Sequence, residues 1–231
     1  MNSTKKTARL AGLLYLIWAI TGVYGLIYVP SKIMVRGDAV ATANNILANE
    51  FLFRTYIIND LISNTIWVFL VLVLYRLFKQ VSERQAKLLV ALVIVQVPAG
   101  FFMGAFNITS LMILKGEILK TFELTQRQDL AMLFLKINDY GVLTLELFWG
   151  LWLFPLAILV YRSRFLPRFL GVWLIINGFA YLATSFTGLL LPQYKEAISN
   201  IALPALFGEL AFMLWILIMG TKEQTVNAPA S

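Results

Sequence analysis

Leu10–Ser31, LAGLLYLIWAITGVYGLIYVPS, carries no charged side chain. A hydrocarbon core about 30 Å thick is crossed by about 20 apolar residues in a helix. Apolar character here is continuous and does not alternate, and lipid leaves no water to satisfy an open backbone. Both facts select a helix over a strand. Lys5, Lys6 and Arg9 precede the stretch, as they would in a signal peptide. The run is too long for one and no small-x-small cleavage site follows, so it reads as an uncleaved signal anchor.

The same signature recurs along the chain. It predicts an all-α, polytopic membrane bundle of six transmembrane helices, at about 10–29, 55–77, 88–114, 140–161, 169–191 and 201–220. Residues 1–221 then form a single six-span domain, and 222–231 a short disordered tail. Composition agrees: 60% of residues are hydrophobic, 13% are charged, and mean hydropathy is +0.78. A soluble domain carries about 25% charged residues, so too little polar surface exists here to cover a globule.

The formal net charge of +7 would suggest nucleic acid in a soluble protein. Here Lys and Arg occupy connections beside apolar spans, which reads as topology and contact with anionic membrane lipids, not nucleic acid. Cysteine and histidine are absent. That excludes thiol nucleophiles, imidazole bases, and His- or Cys-ligated metal or haem. No catalytic residue, metal site or cofactor is expected, and the reading leans away from an enzyme.

Basic residues set the expected orientation. Lys5, Lys6 and Arg9 lie at the amino end. Arg76, Lys79, Arg84 and Lys87 follow span two, and Arg162, Arg164 and Arg168 follow span four. The positive-inside rule places these connections and both termini in the cytoplasm. Two outer connections are expected to hold short interfacial helices. Asp38 can cap one running through Phe51, with Val40, Ala43, Leu47 and Phe51 on its apolar stripe and Asp38, Thr42, Asn45 and Asn49 on the other. Thr125 to Gln128 matches a capping box, which predicts a second short helix from Gln126 to about Asn138. Pro98 and Pro155 fall inside spans three and four, where they should kink a helix; Pro30, Pro192 and Pro204 fall at or near span ends.

Only three acids interrupt the spans: Asp60, Glu146 and Glu209. An ionised carboxylate in hydrocarbon costs several kcal/mol, so these groups should face inward. Helical rise places all three in the outer half of the membrane. Asn59 and Asn64 share span two with Asp60, Asn107 lies near the outer end of span three and Asn177 near the middle of span five, and Arg54 is a cation placed to organise the acids by charge pairing. Arg54, Asp60, Asn64, Asn107, Glu146 and Glu209 are therefore the candidate ligand-binding residues, with Tyr140 or Trp149 supplying an aromatic face to a cation. The competing reading is that the acids only lock helix packing, as interhelical polar pairs do.

Arg9-Leu-Ala-Gly-Leu-Leu-Tyr-Leu16, Gly37-Asp-Ala39, Phe53-Arg54, Arg162-Ser-Arg-Phe-Leu-Pro-Arg-Phe-Leu-Gly171, Gly178-Phe-Ala-Tyr181 and Leu203-Pro-Ala-Leu-Phe-Gly-Glu209 resemble the bacterial family called domain of unknown function 4386. The resemblance covers essentially the whole chain. It implies a small polytopic bacterial membrane protein, expected in the cytoplasmic membrane, and supplies no catalytic residues. It favours Arg54 and Glu209, which fall in its recurring phrases.

The leading functional expectation is an integral membrane protein that binds or passes a small polar or cationic ligand in an outer-facing pocket lined by carboxylates. The alternatives are a structural or regulatory subunit packed on a membrane protein partner or a second copy of itself, and a carboxylate-dependent lipid-modifying enzyme.

Overall fold

A computed structural model describes residues 3–222. The expected 222–231 tail thus lies, from residue 223 onward, outside the described residues. Among those described there are helices and no strands. Six segments are long and apolar enough to cross a membrane: Ser3–Ile33, Glu50–Phe78, Glu83–Leu114, Leu124–Arg162, Arg168–Leu190 and Pro192–Ile218. The first four contain the expected spans and extend them, because a helix keeps its backbone bonds as it leaves the hydrocarbon; the last two overlap the expected spans but end one and two residues short of them.

The first segment is α1 (Ser3–Val23), a π-helical turn (Tyr24–Tyr28) and α2 (Val29–Ile33). There follow α3 (Ala39–Ala48), α4 (Glu50–Phe78), α5 (Glu83–Ile94) and α6 (Val97–Leu114), then α7 (Leu124–Arg162), α8 (Arg168–Leu190) and α9 (Lys195–Ile218). The chain divides into two compact units. One comprises Met1–Leu16, Phe69–Val93 and Glu146–Ser231; the other comprises Ile17–Val68 and Ile94–Leu145.

The first unit is packed tightly by small residues. A Cβ added to Gly150 on α7 would fall 2.6 Å from the Gly178 carbonyl oxygen on α8. One added to Gly12 on α1 would fall 2.6 Å from the Leu217 backbone on α9. Lipid tails are as apolar as leucine, so close backbone approach is a main source of cohesion between membrane helices. Trp152, Phe212, Phe78, Leu70, Leu74 and Leu153 fill the remaining space and are fully buried.

In the second unit Val29, Ile33, Ile46, Phe53, Ile57, Leu111 and Leu135 share one buried cluster. Asp38 caps α3 as expected, its Oδ1 accepting the Ala41 amide at 2.8 Å. The expected apolar stripe is split: Ala43 faces inward, but Val40, Leu47 and Phe51 face outward, and Thr42 of the polar stripe is buried. Val40 is 51% and Phe51 81% exposed, while Thr42, Ala43 and Ile46 are buried. The reason is backbone satisfaction at the end of α2. Thr42 Oγ1 accepts the Val35 amide at 3.0 Å and donates to the Val35 carbonyl at 3.2 Å, and Asn45 Nδ2 donates to the Ile33 carbonyl at 3.2 Å. Orphan carbonyls at a helix end need donors, and these two polar side chains supply them. The helix also stops at Ala48, before Phe51, which belongs to α4.

The second expected outer helix is not separate: Leu124–Arg162 is one helix. Its start lies earlier than the Thr125–Gln128 box, for Gln126 Oε1 accepts the Glu123 amide at 2.9 Å. Pro155 is carried inside α7, whereas Pro98 coincides with a break after Ile94 and sits in the first turn of α6, where its missing N–H costs nothing. Pro204 lies inside α9 and not near its end.

Candidate functional site

The first unit builds a carboxyl site from four helices. Glu209 on α9 is only 8% exposed. The Tyr15 hydroxyl on α1 donates to its Oε1. Asn177 Nδ2 on α8 donates to Oε2 at 3.4 Å. The Tyr181 hydroxyl, also on α8, bonds to the same carboxyl. Asn177 and Tyr181 are four residues apart and so lie on one face of their helix. Tyr15 is held by rings on both sides, Trp152 and Phe212, each 6.1 Å away between centroids.

Tyr181 links this carboxyl to the second acid. Glu146 on α7 lies close enough to Tyr181 for the two groups to interact electrostatically, and Thr184, whose hydroxyl donates to the Tyr181 carbonyl at 2.9 Å, is its neighbour. Trp149, three residues after Glu146, meets the Tyr181 ring edge-to-face at 5.9 Å. Glu146 Oε2, Trp149 Nε1 and Asn177 Oδ1 are buried polar atoms with no hydrogen-bond partner among the described residues. An acceptor and a donor are therefore presented unsatisfied from one face of α7. Lys195, at the start of α9, acts on Glu146 electrostatically.

Depth follows from helix bounds. Glu146 is sixteen residues before Arg162, the end of α7, or about 24 Å along the axis. Glu209 is nine residues before Ile218 and fourteen after Lys195, so it sits nearer the C-terminal end of α9.

The second unit holds a different polar set. Asp60 on α4 lies against the π-helical turn, where a Cβ on Gly25 would come within 3.0 Å of Asn59 Nδ2 and 3.2 Å of Asp60 Oδ1. The extra residue of a π-turn opens the helix at that level. Asn59 Nδ2 donates to the Thr21 carbonyl at 3.0 Å, and Thr21 Oγ1 meets Ser63 Oγ at 3.0 Å. Asn64 Nδ2 donates to the Asp60 carbonyl at 2.8 Å, and its amide fills the notch left by Gly100. Asn107 is buried with the Tyr56 hydroxyl beside it.

Arg54 has another partner than the one expected. Its Nη2 lies 2.7 Å from Glu50 Oε1, with the side chain 52% exposed, and Lys115 Nζ reaches the same oxygen at 3.1 Å. The guanidinium therefore serves an ion cluster at the start of α4. Tyr140 is 61% exposed. The residues around Glu209 that the sequence did not single out are Tyr15 and Tyr181; Asn177 stood out only as an amide in mid-span. Tyr15 and Tyr181 left one signal, tyrosines in mid-span and away from the interfacial belts where such rings are enriched. No group of three or more Asp and Glu that could hold a metal ion occurs among the described residues.

Together, helices of spanning length and carboxyl groups held within them define a multi-pass integral membrane protein. The chain belongs to the family described as domain of unknown function (DUF4386), which matches residues 10–220. It is also 32% identical over 100 residues to a protein of Archaeoglobus fulgidus described as uncharacterized, an overlap covering 41% of this chain and 59% of that one. The chain thus spans about three fifths of the length of that relative. No solved structure matches it.

Proposed function

We propose that this protein binds a small polar or cationic ligand at Glu146, in a site opening toward the outer face of a cell membrane, with both termini cytoplasmic. The observation that carries the reading is the pair of unsatisfied buried atoms on α7, Glu146 Oε2 and Trp149 Nε1. A buried acceptor and donor each cost free energy when left unpaired. A ligand that brings a cation or N–H to Glu146 and an acceptor oxygen to Trp149 satisfies both. The Trp149 and Tyr181 rings add quadrupolar attraction for a cation. Glu209, engaged by Tyr15, Tyr181 and Asn177, is the anchor that fixes Tyr181 and through it the site wall. Asp60, Asn64, Asn107 and Arg54 stay candidates for the second unit only.

The outward opening rests on depth and charge. Glu146 is about 24 Å from the Arg162 end of its helix, and that end carries the basic cluster expected in the cytoplasm. Choline and tetramethylammonium, titrated at constant ionic strength into full-length protein in nonionic detergent, test the reading. Choline, which carries a hydroxyl acceptor, should raise the melting temperature more than tetramethylammonium does, and Glu146→Gln should remove both effects. If neither probe shifts the melt and Glu146→Gln only lowers stability, the acids serve packing and the ligand reading fails.

A further inference from the structure

We propose that the hollow where α1 begins and α4, α7 and α9 end binds a phosphate-bearing ligand carrying more than one negative charge. The hollow has a volume of about 690 Å³ and is lined by Arg76, Lys79, Arg162, Arg164 and Lys222, with no acidic residue among the described residues of its wall. That volume lies within the range of small-molecule sites, about 300–1,000 Å³. All five cations belong to the first unit.

Two ordinary causes bring cations to helix ends: the negative end of the helix dipole, and topology. They account for Arg76 and Arg162, each in the last turn of its helix. They do not account for five cations around one hollow, where like charges repel. Elsewhere in the chain Arg54, Lys87 and Lys115 each pair with a glutamate. None of the five does so among the described residues.

The wall is also built. The Lys222 amide donates to the Phe165 carbonyl at 3.0 Å, tying the chain after α9 to the α7–α8 connection. Ser163 Oγ donates to the Val160 carbonyl at 2.8 Å. Between them Arg164 adopts φ +59°, a left-handed conformation that costs a side chain other than glycine or asparagine. An arginine kept where glycine would be easier suggests that its guanidinium is needed there. Guanidinium forks match phosphate oxygens bidentately, and lysines add point charge. A ligand with several charges in a small volume complements five cations better than a lone carboxylate. Such a group is found on anionic lipid headgroups and on soluble phosphorylated compounds.

The test uses full-length protein in nonionic detergent at constant ionic strength. Inorganic pyrophosphate is one probe; mixed micelles containing phosphatidylglycerol or cardiolipin, against phosphatidylcholine, are the other. Either probe should raise the melting temperature by several degrees. Arg162→Gln and Arg164→Gln should each weaken the response at least about tenfold in midpoint concentration, as loss of a charged hydrogen bond does. Arg84→Gln, a cation of α5 outside the hollow, should leave it unchanged. Arg164→Gly separates folding from binding: it relieves the left-handed strain, so the ligand-free protein should melt no lower, yet the response should be lost. A response to pyrophosphate identifies a soluble ligand, and one to anionic lipid alone identifies a headgroup. The proposal is overturned if neither probe acts, or if Arg84→Gln weakens the response as much as Arg162→Gln does.

Discussion

Replacing Tyr15 by phenylalanine removes one hydroxyl and nothing else from the Glu209 site. The ring stays between Trp152 and Phe212, so no cavity forms. What is lost is the hydrogen bond to Glu209 Oε1. Such a bond nets about 0.5–1.5 kcal/mol between neutral groups and about 1.5–3 when one is charged. Interhelical polar pairs in membranes average about 0.6 kcal/mol with a ceiling near 1.7. Tyr181 and Asn177 still hold the carboxyl, which keeps the cost from the upper end. Tyr15→Phe should therefore destabilise by about 1–2 kcal/mol, or lower the melting temperature by about 2–8 °C. The assay is a double-mutant cycle with Glu209→Leu, read by reversible unfolding in mixed micelles. With the acceptor gone, Tyr15→Phe no longer breaks that bond, so its cost should fall by about the worth of the bond. An equal cost in both backgrounds would refute the bond as the source of the effect.

Three further outcomes are expected. Gly150→Ala should cost about 1–3 kcal/mol, because its Cβ would meet the Gly178 carbonyl oxygen, while Gly22→Ala, with open space around it, should gain about 0.5–1 kcal/mol; thermal melts of the pair compare them directly. Asp38→Ala should lose about 1 kcal/mol and speed hydrogen exchange at the start of α3, whereas Asp38→Asn should keep the cap. The Lys115 ammonium is pushed above the ordinary lysine range by the hydrogen bonds it donates to Glu117 first and Glu50 second. A raised pKa means its stabilisation is complete at neutral pH and is lost as pH climbs through the raised value. Glu117→Gln should therefore flatten the fall in melting temperature above about pH 10.

The spans were legible because lipid imposes one rule on a long uncharged run, and that rule does not depend on tertiary detail. The face of α3 was not legible for a local reason. Thr42 and Asn45 look like solvent residues on a helical wheel, but the Ile33 and Val35 backbone needs them inside. The Arg54 partner was readable in principle, since Glu50 precedes it by one helical turn. Attention to the deep acids hid that spacing. For Glu209, burial was foreseeable from its depth; its partners were not, because Tyr15 lies 194 residues away. Glu146 and Glu209 are linked through Tyr181, a residue with no charge to mark it. Asp60 belongs to the other unit, with its own amide neighbours.

The absence of cysteine permits a direct test of the Glu146 site, because a single introduced thiol has no background. Thr184→Cys places that thiol beside Glu146. In intact cells, a small, positively charged, membrane-impermeant thiol reagent should modify it from outside. Choline should slow the reaction, and Glu146→Gln should slow it at least several-fold by removing the charge that draws the reagent in. A thiol that reacts only after denaturation, or at the same rate with Glu146→Gln, would contradict a ligand site at this carboxyl.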